Sequence, residues 1–247
     1  MLTTSRPRIA VVTSSNRVPG LVDLMLDADR RGLYRIACIV TTEAEFVERA
    51  AVEGRRIAVL HHPMPCRRMS VRAEHDARTV ALLEPFAPDL VVLAGYLYIA
   101  TDWLLGAYQQ RVINLHLSDL TLRLPDGRPR FAGLRAVRDA IVAGETATYA
   151  TSHVVTEELD GGPPLVRSWP FAVAPLVRDA RLSGATDMLK AYAYAHEQWM
   201  LRQASGPVLV RTLASIAAGE IDLDTLARHV PAGPSTRIVD VGYSCGA

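Results

Sequence analysis

The sequence predicts an α/β protein: an open, mostly parallel, Rossmann-like sheet with helices on both faces and a helical C-terminal extension. Two observations predict it. Short β-branched apolar runs of the kind buried on both sides recur through the first half of the 247-residue chain, as in Ile9-Ala10-Val11-Val12-Thr13. Between them lie segments with apolar residues at helical spacing, and strands alternating with helices at this interval imply βαβ crossovers.

The elements follow in order. Residues 9–13 form a strand that ends in the polar turn Ser14-Ser15-Asn16. Pro19 and Gly20 introduce a helix over 21–30, with Leu21, Leu24, Met25 and Ala28 at helical spacing and Gly32 as its stop. A strand over 34–40, a helix over about 43–54 and a strand over 57–60 come next. A helix over 73–84 precedes the clearest strand of the chain, Asp89 to Gly95, and a helix over 101–107 leads to a strand over 111–115. Residues 122–131, with two prolines, one glycine and three arginines, read as a surface loop. A helix over 134–142 closes at Gly144, and Thr and Ser alternate with apolar residues over 146–155, as in a half-buried strand. The turn Leu159-Asp160-Gly161-Gly162-Pro163-Pro164 precedes a strand over 165–173. From Ala185 the chain is helical to about residue 202 and again from Pro207 to residue 218, with a short helix over 222–229. A Pro-, Gly- and Ser-rich tail over 231–247 reads as mobile.

Composition narrows the function. With 27 basic and 26 acidic residues the net charge is +1, so no broad field points to nucleic acid or to a membrane surface. Lys190 is the only lysine, which a GC-rich genome explains. Cys38, Cys66 and Cys245 are odd in number, far apart and in no metal motif, and read as reduced thiols. MLTTSRPR carries no apolar signal segment and no stretch is long enough to span a bilayer, so a cytoplasmic location is expected. His61-His62-Pro63-Met64-Pro65-Cys66 has no metal-site spacing, and no metal is expected. Tyr192, Tyr194 and Trp199 lie at roughly helical spacing and are expected to cover the sheet or a partner chain, a homodimer being one such assembly.

In open parallel sheets the ligand crevice lies past the carboxyl ends of the strands. The polar residues there are Ser14 to Arg17, Gly95 to Tyr98 and Asn114 to Ser118. Asn114 and His116, two apart on a strand, share a face. Asp160 sits in a turn whose two glycines let backbone approach a ligand closely. An amide donor, an imidazole and a carboxylate are what acyl transfer to an amine requires: one group for the oxyanion, one for the amine proton. No serine or cysteine nucleophile motif is nearby, which favours direct attack by the acceptor. Taken alone, an Asn-x-His at a strand end and a DGG turn are also common structural features.

Three segments carry a resemblance: Val91-Val-Leu-Ala-Gly-Tyr96, Val112-Ile-Asn-Leu-His116 and Thr151-Ser-His-Val-Val-Thr-Glu-Glu-Leu-Asp-Gly-Gly-Pro163. In order and approximate spacing they resemble the glycinamide ribonucleotide formyltransferase family, over roughly residues 8–220 and patchily in the first third. The wider fold includes methionyl-tRNA formyltransferase and formyltetrahydrofolate deformylase. The resemblance implies a formyltransferase domain over 1–205 and a helical extension and tail over 206–247. It implies 10-formyltetrahydrofolate as co-substrate and Asn114, His116 and Asp160 as the catalytic set. Thr151 falls where the family has a small hydroxyl residue that helps hold a water. His153 matches a second histidine near the site, or is a buried histidine with a satisfied ring. The folate pocket would be formed by Leu97, Tyr98, Ile99 and Ala100 and by Val155, Thr156, Glu157, Glu158 and Leu159.

The departures from the family all fall on the acceptor side. The family's phosphate-binding loop after the first strand is glycine-rich, which lets backbone N–H groups converge on an anion. Here Ser14, Ser15, Asn16, Arg17 and Val18 lead to Pro19, which has no N–H. Leu117 stands where the family usually has proline, and extra residues around 122–130 precede Gly133-Leu134. Arg123, Arg128 and Arg130 there read as an anion-binding patch or as solvated loop charge. The expected function is therefore N-formyl transfer to a small amine other than glycinamide ribonucleotide: an amino sugar, sugar nucleotide or natural-product amine. Purine biosynthesis, hydrolysis of formyltetrahydrofolate and silent folate binding are the alternatives. The hydrolase of the family usually carries a regulatory domain ahead of the first strand, whereas here that strand starts the chain.

Overall fold

The computed structural model describes residues 6–14, 18, 20–47, 57–64, 69–228 and 239–240. Its strands are β1 (Arg8–Thr13), β2 (Arg35–Thr41), β3 (Ala58–His61), β4 (Leu90–Leu93), β5 (Val112–His116), β6 (Ala147–Thr148), β7 (Thr151–Val154), β8 (Pro164–Arg167), β9 (Phe171–Ala172) and β10 (Val239–Asp240). Its helices are α1 (Leu21–Arg30), α2 (Met69–Leu83), α3 (Asp102–Ala107), α4 (Ala136–Ala143), α5 (Leu176–Leu182), α6 (Thr186–Ala217) and α7 (Leu223–Arg228). Residues 44–47 are also helical, and the rest of the helix expected to residue 54 lies outside the described residues.

Eight strands form one sheet in the order β10-β8-β7-β5-β4-β1-β2-β3. All neighbours are parallel except β7, which runs against both β5 and β8. β1 is central and wholly apolar over Ile9 to Val12, so its two faces root two cores. Ile9 and Val11 face α1 and α6 in one core; Ala10 and Val12 join Leu83 and Leu104 in the other. Helices thus cover both faces, as the sequence predicts.

Four expectations are revised. The segment 146–155 is two strands, and β7 is buried on both faces rather than half-buried. It lies between β5 and β8 with α6 against it, and its polar side chains find partners there: the Ser152 hydroxyl lies 2.7 Å from Thr212 Oγ1. The strand expected over 165–173 likewise splits into β8 and β9. The C-terminal helices are one helix of 32 residues with Pro207 inside it. A mid-helix proline costs about 3 kcal/mol, but Ala204, Val208 and Leu209 around it are fully buried, and that burial offsets the cost. The helix therefore runs through the expected boundary at 205/206, and its last turns belong to the main core. Within the tail, Val239–Asp240 pairs parallel with β8; the remainder of 231–247 lies outside the described residues.

Candidate active site

The end of β5 and the start of β7 meet where the chain direction reverses. Register pairs Asn114 with His153 and His116 with Thr151, so four polar residues lie side by side on two neighbouring interior strands, at the carboxyl end of β5. Asn114 is half-buried, and His153 and Thr151 are buried.

Asp160 arrives from the turn after β7. Its backbone is left-handed, with φ of 54°, an uncommon conformation for a residue with a side chain. Its Oδ2 accepts the Gly133 N–H at 2.8 Å and lies 3.5 Å from His116 Nε2. Its Oδ1 lies 3.8 Å from His153 Nε2. One carboxylate thus sits between two imidazoles, at distances just beyond a direct hydrogen bond.

Burial favours the neutral form of both rings. Burial lowers the pKa of His116, opposed by the Asp160 carboxylate and by a hydrogen bond to the Phe131 carbonyl. Burial lowers that of His153 to about 4, with Asp160 again opposing. His153 donates from Nδ1 to the Val154 carbonyl at 3.0 Å. In the same way, the Phe131 carbonyl takes the proton of the other His116 nitrogen, an assignment made from the hydrogen-bond network. Both Nε2 atoms are buried without a hydrogen-bond partner and face the same carboxylate. Buried unpaired nitrogens are costly, and their concentration here marks a place for a ligand group or water.

Residues 7–178, most of the chain, match the family model described as formyl transferase. The chain belongs to the formyl transferase family. The phosphoribosylglycinamide formyltransferase of Escherichia coli K12 is 28% identical over 162 residues, 65% of this chain and 71% of that protein. The formyltetrahydrofolate deformylase of Bacillus subtilis is 34% identical over 131 residues, which are 53% of this chain but 39% of the deformylase. Among solved structures, glycinamide ribonucleotide transformylase 1 from Symbiobacterium toebii superposes with a TM-score of 0.61 at 26% identity, covering 88% of this chain and 90% of that one.

In this formyl transferase family member the segment after β4 is anchored at both ends. Ser14, at the end of β1, accepts the Leu97 N–H at 2.8 Å and donates to the Gly95 carbonyl, tying two strand ends together at the point where strand order reverses. At the other end, buried Asp76 of α2 accepts the Thr101 N–H at 2.7 Å, the Thr101 hydroxyl at 2.8 Å and the Tyr96 hydroxyl at 3.3 Å. Tyr98, Ala100 and Val155 sink into the second core, while Ile99 and Leu159 stand 46% and 49% exposed. Thr156, Glu157 and Glu158 are exposed, with Leu97 half-buried. Asp76 was not foreseen: nothing in the helical spacing of α2 singles it out.

The acceptor side is more dispersed. Ser15, Asn16 and Arg17 lie outside the described residues. The Thr151 hydroxyl donates to the Ser118 carbonyl, 2.6 Å away, and accepts the Leu120 N–H at 3.4 Å, so it fixes the loop after β5. Residues 122–130 form a small hairpin, bridged between Arg123 and Pro129. Arg128 pairs with Asp126 beside it at 2.7 Å and Arg130 with Glu145 at 3.0 Å. Arg123 instead turns toward the Asp160 turn, where it donates to backbone carbonyls. His62 and His75 stack at 3.8 Å and each ring lies 3.1 Å from the other's carbonyl. Among the described residues no cluster is arranged to hold a metal, and no helix is long and apolar enough to cross a membrane.

Proposed function

We propose that this protein moves the formyl group of 10-formyltetrahydrofolate to the amine of a small molecule other than glycinamide ribonucleotide, such as an amino sugar, sugar nucleotide or natural-product amine. The observation that carries the transfer is the His116–Asp160–His153 arrangement with Asn114 alongside: two neutral imidazoles aimed at one carboxylate. Neutral His116 takes the amine proton as the new N–C bond forms. The Asn114 amide steadies the oxyanion, and Asp160 stabilises the imidazolium. Breakage of the N10–C bond then returns the proton to the folate nitrogen. The donor fits the exposed apolar side chains of Ile99 and Leu159, flanked by the anchored 97–101 segment; a flat pterin needs both stacking area and backbone partners.

What turns the reading away from glycinamide ribonucleotide is the acceptor side. Arg128 and Arg130 are engaged by acidic neighbours, and the loop after β1 carries Pro19 where a phosphate cradle needs N–H groups. Two measurements test the reading. A 5,10-dideaza folate analogue at a hundredfold excess over its Kd is expected to stabilise the fold by about 2.7 kcal/mol. No melting shift at saturation would remove the folate site. Steady-state kinetics with glycinamide ribonucleotide are expected to give kcat/KM below the range of about 10⁴ M⁻¹s⁻¹ and above that enzymes show on their own substrates. Turnover within that range would make the purine reading correct. The similarity to the B. subtilis deformylase supports a second reading, with water as acceptor. Stoichiometric formate release without an amine decides for it.

A further inference from the structure

We propose that Arg123, on the hairpin inserted between the histidine strand and α4, is a positioning residue that grips the Gly161–Gly162 backbone and so holds Asp160 against His116. Its guanidinium donates from Nη1 to the Gly161 carbonyl at 3.0 Å and from Nη2 to the Gly162 carbonyl at 3.2 Å. Nη1 also reaches the Gly127 carbonyl at 3.3 Å, which folds the side chain back onto its own hairpin. A planar fork spanning two consecutive carbonyls fixes both position and orientation, which a point charge does not.

The turn needs such a hold. Asp160 sits in the left-handed region, which aspartate adopts more readily than most residues, and contacts from its surroundings fix it there. The Gly133 N–H holds the carboxylate from one side. Arg123 holds the two residues after Asp160 from the other, 38 and 39 positions away in sequence. Arg128 and Arg130 of the same hairpin are exposed and paired locally, so only Arg123 joins the insertion to the catalytic turn among the described arginines of that loop. The insertion thereby acts as a buttress for the carboxylate.

This inference rests on the proposed reaction for its kinetic arm, and a second arm is independent of activity. In the full chain, Arg123→Ala is expected to lower turnover of 10-formyltetrahydrofolate by about 10- to 100-fold, as misplacement of a reacting group does, with its KM nearly unchanged. Millimolar guanidinium should restore part of the loss. By NMR titration of the His116 ring, the apparent pKa is expected to fall in Arg123→Lys, which keeps the cation, in the same direction as in Asp160→Asn, because the carboxylate no longer supports the imidazolium. In Arg123→Ala the loss of a cation that also bears on His153 works against that fall. Arg123→Lys keeps the charge and loses the fork, so its turnover should resemble that of the alanine variant, and its titration decides the matter. Unchanged turnover and an unchanged His116 titration overturn the proposal, as does a loss of stability with the titration unmoved. If the wild-type protein turns over no folate, the proposed function falls and the titration alone still decides the role of Arg123.

Discussion

Replacing His116 by alanine is expected to cut turnover by about two to four orders of magnitude while the folate donor still binds. Among the described residues this ring lies nearest the Asp160 carboxylate, at 3.5 Å, His153 being 3.8 Å away on the other oxygen and more deeply buried. The effect is expected in kcat, since in the proposed reaction His116 acts on the proton that moves and not on the pterin. The pH profile carries the sign. Burial lowers the His116 pKa, so the imidazole stays neutral as pH falls below the ordinary histidine value near 6.5. Activity should persist into mildly acidic solution and be lost as pH drops through the depressed pKa. In Asp160→Asn the support for the imidazolium disappears, so the acid limb should move lower still while the maximal rate falls. Near-normal turnover in His116→Ala, or an acid limb above 6.5, would contradict the assignment.

The second large effect is steric. A Cβ on Gly162 would overlap the Val154 carbonyl oxygen, in a strand fixed between β5 and β8. No flexible side chain can yield there, so Gly162→Ala should cost about 3 kcal/mol or more, and a chain of this size loses about 2–4 °C in melting temperature for each kcal/mol. Gly161→Ala provides the contrast. The atoms nearest its Cβ would be Cγ, Cδ and Oε2 of the exposed Glu158 side chain, which can swing into water. Equal melting temperatures for the two variants would show that β7 yields more easily than its pairing implies.

The strands β1, β4 and β5 were legible because they are continuous apolar runs, and the strand ends marked the cleft. Asn114, His116 and Asp160 stood out by their place at a strand end and in a glycine turn and, above all, by the resemblance of the motifs around them; the fold brings His116 and Asp160 within 3.5 Å. What escaped the sequence depends on distant partners. Thr151 and Ser152 read as a half-exposed strand because nothing near them shows that Ser118 and Thr212 satisfy their hydroxyls. Pro207 read as the start of a second helix because its neighbours' burial is decided by α1, over 170 residues earlier. Arg123 looked like the other two loop arginines, since the carbonyls it binds belong to another turn.

One feature of the fold bears on how the chain is made. α6 lies against α1, α4, α5, β5, β7 and β8, and Gly206 leaves no room for a side chain beside Leu24. The first helix therefore waits for a partner that is synthesised more than 150 residues later. Until Thr186–Ala217 has left the ribosome, the apolar side chains it covers, Met25 and Val166 among them, face water. Contacts this distant in sequence close slowly, and the waiting surface invites association with other nascent chains. A chain ended at residue 185 is accordingly expected in the insoluble fraction, although every candidate catalytic residue is present in it, and recovery of that fragment as a soluble monomer would show that the sheet face can protect itself.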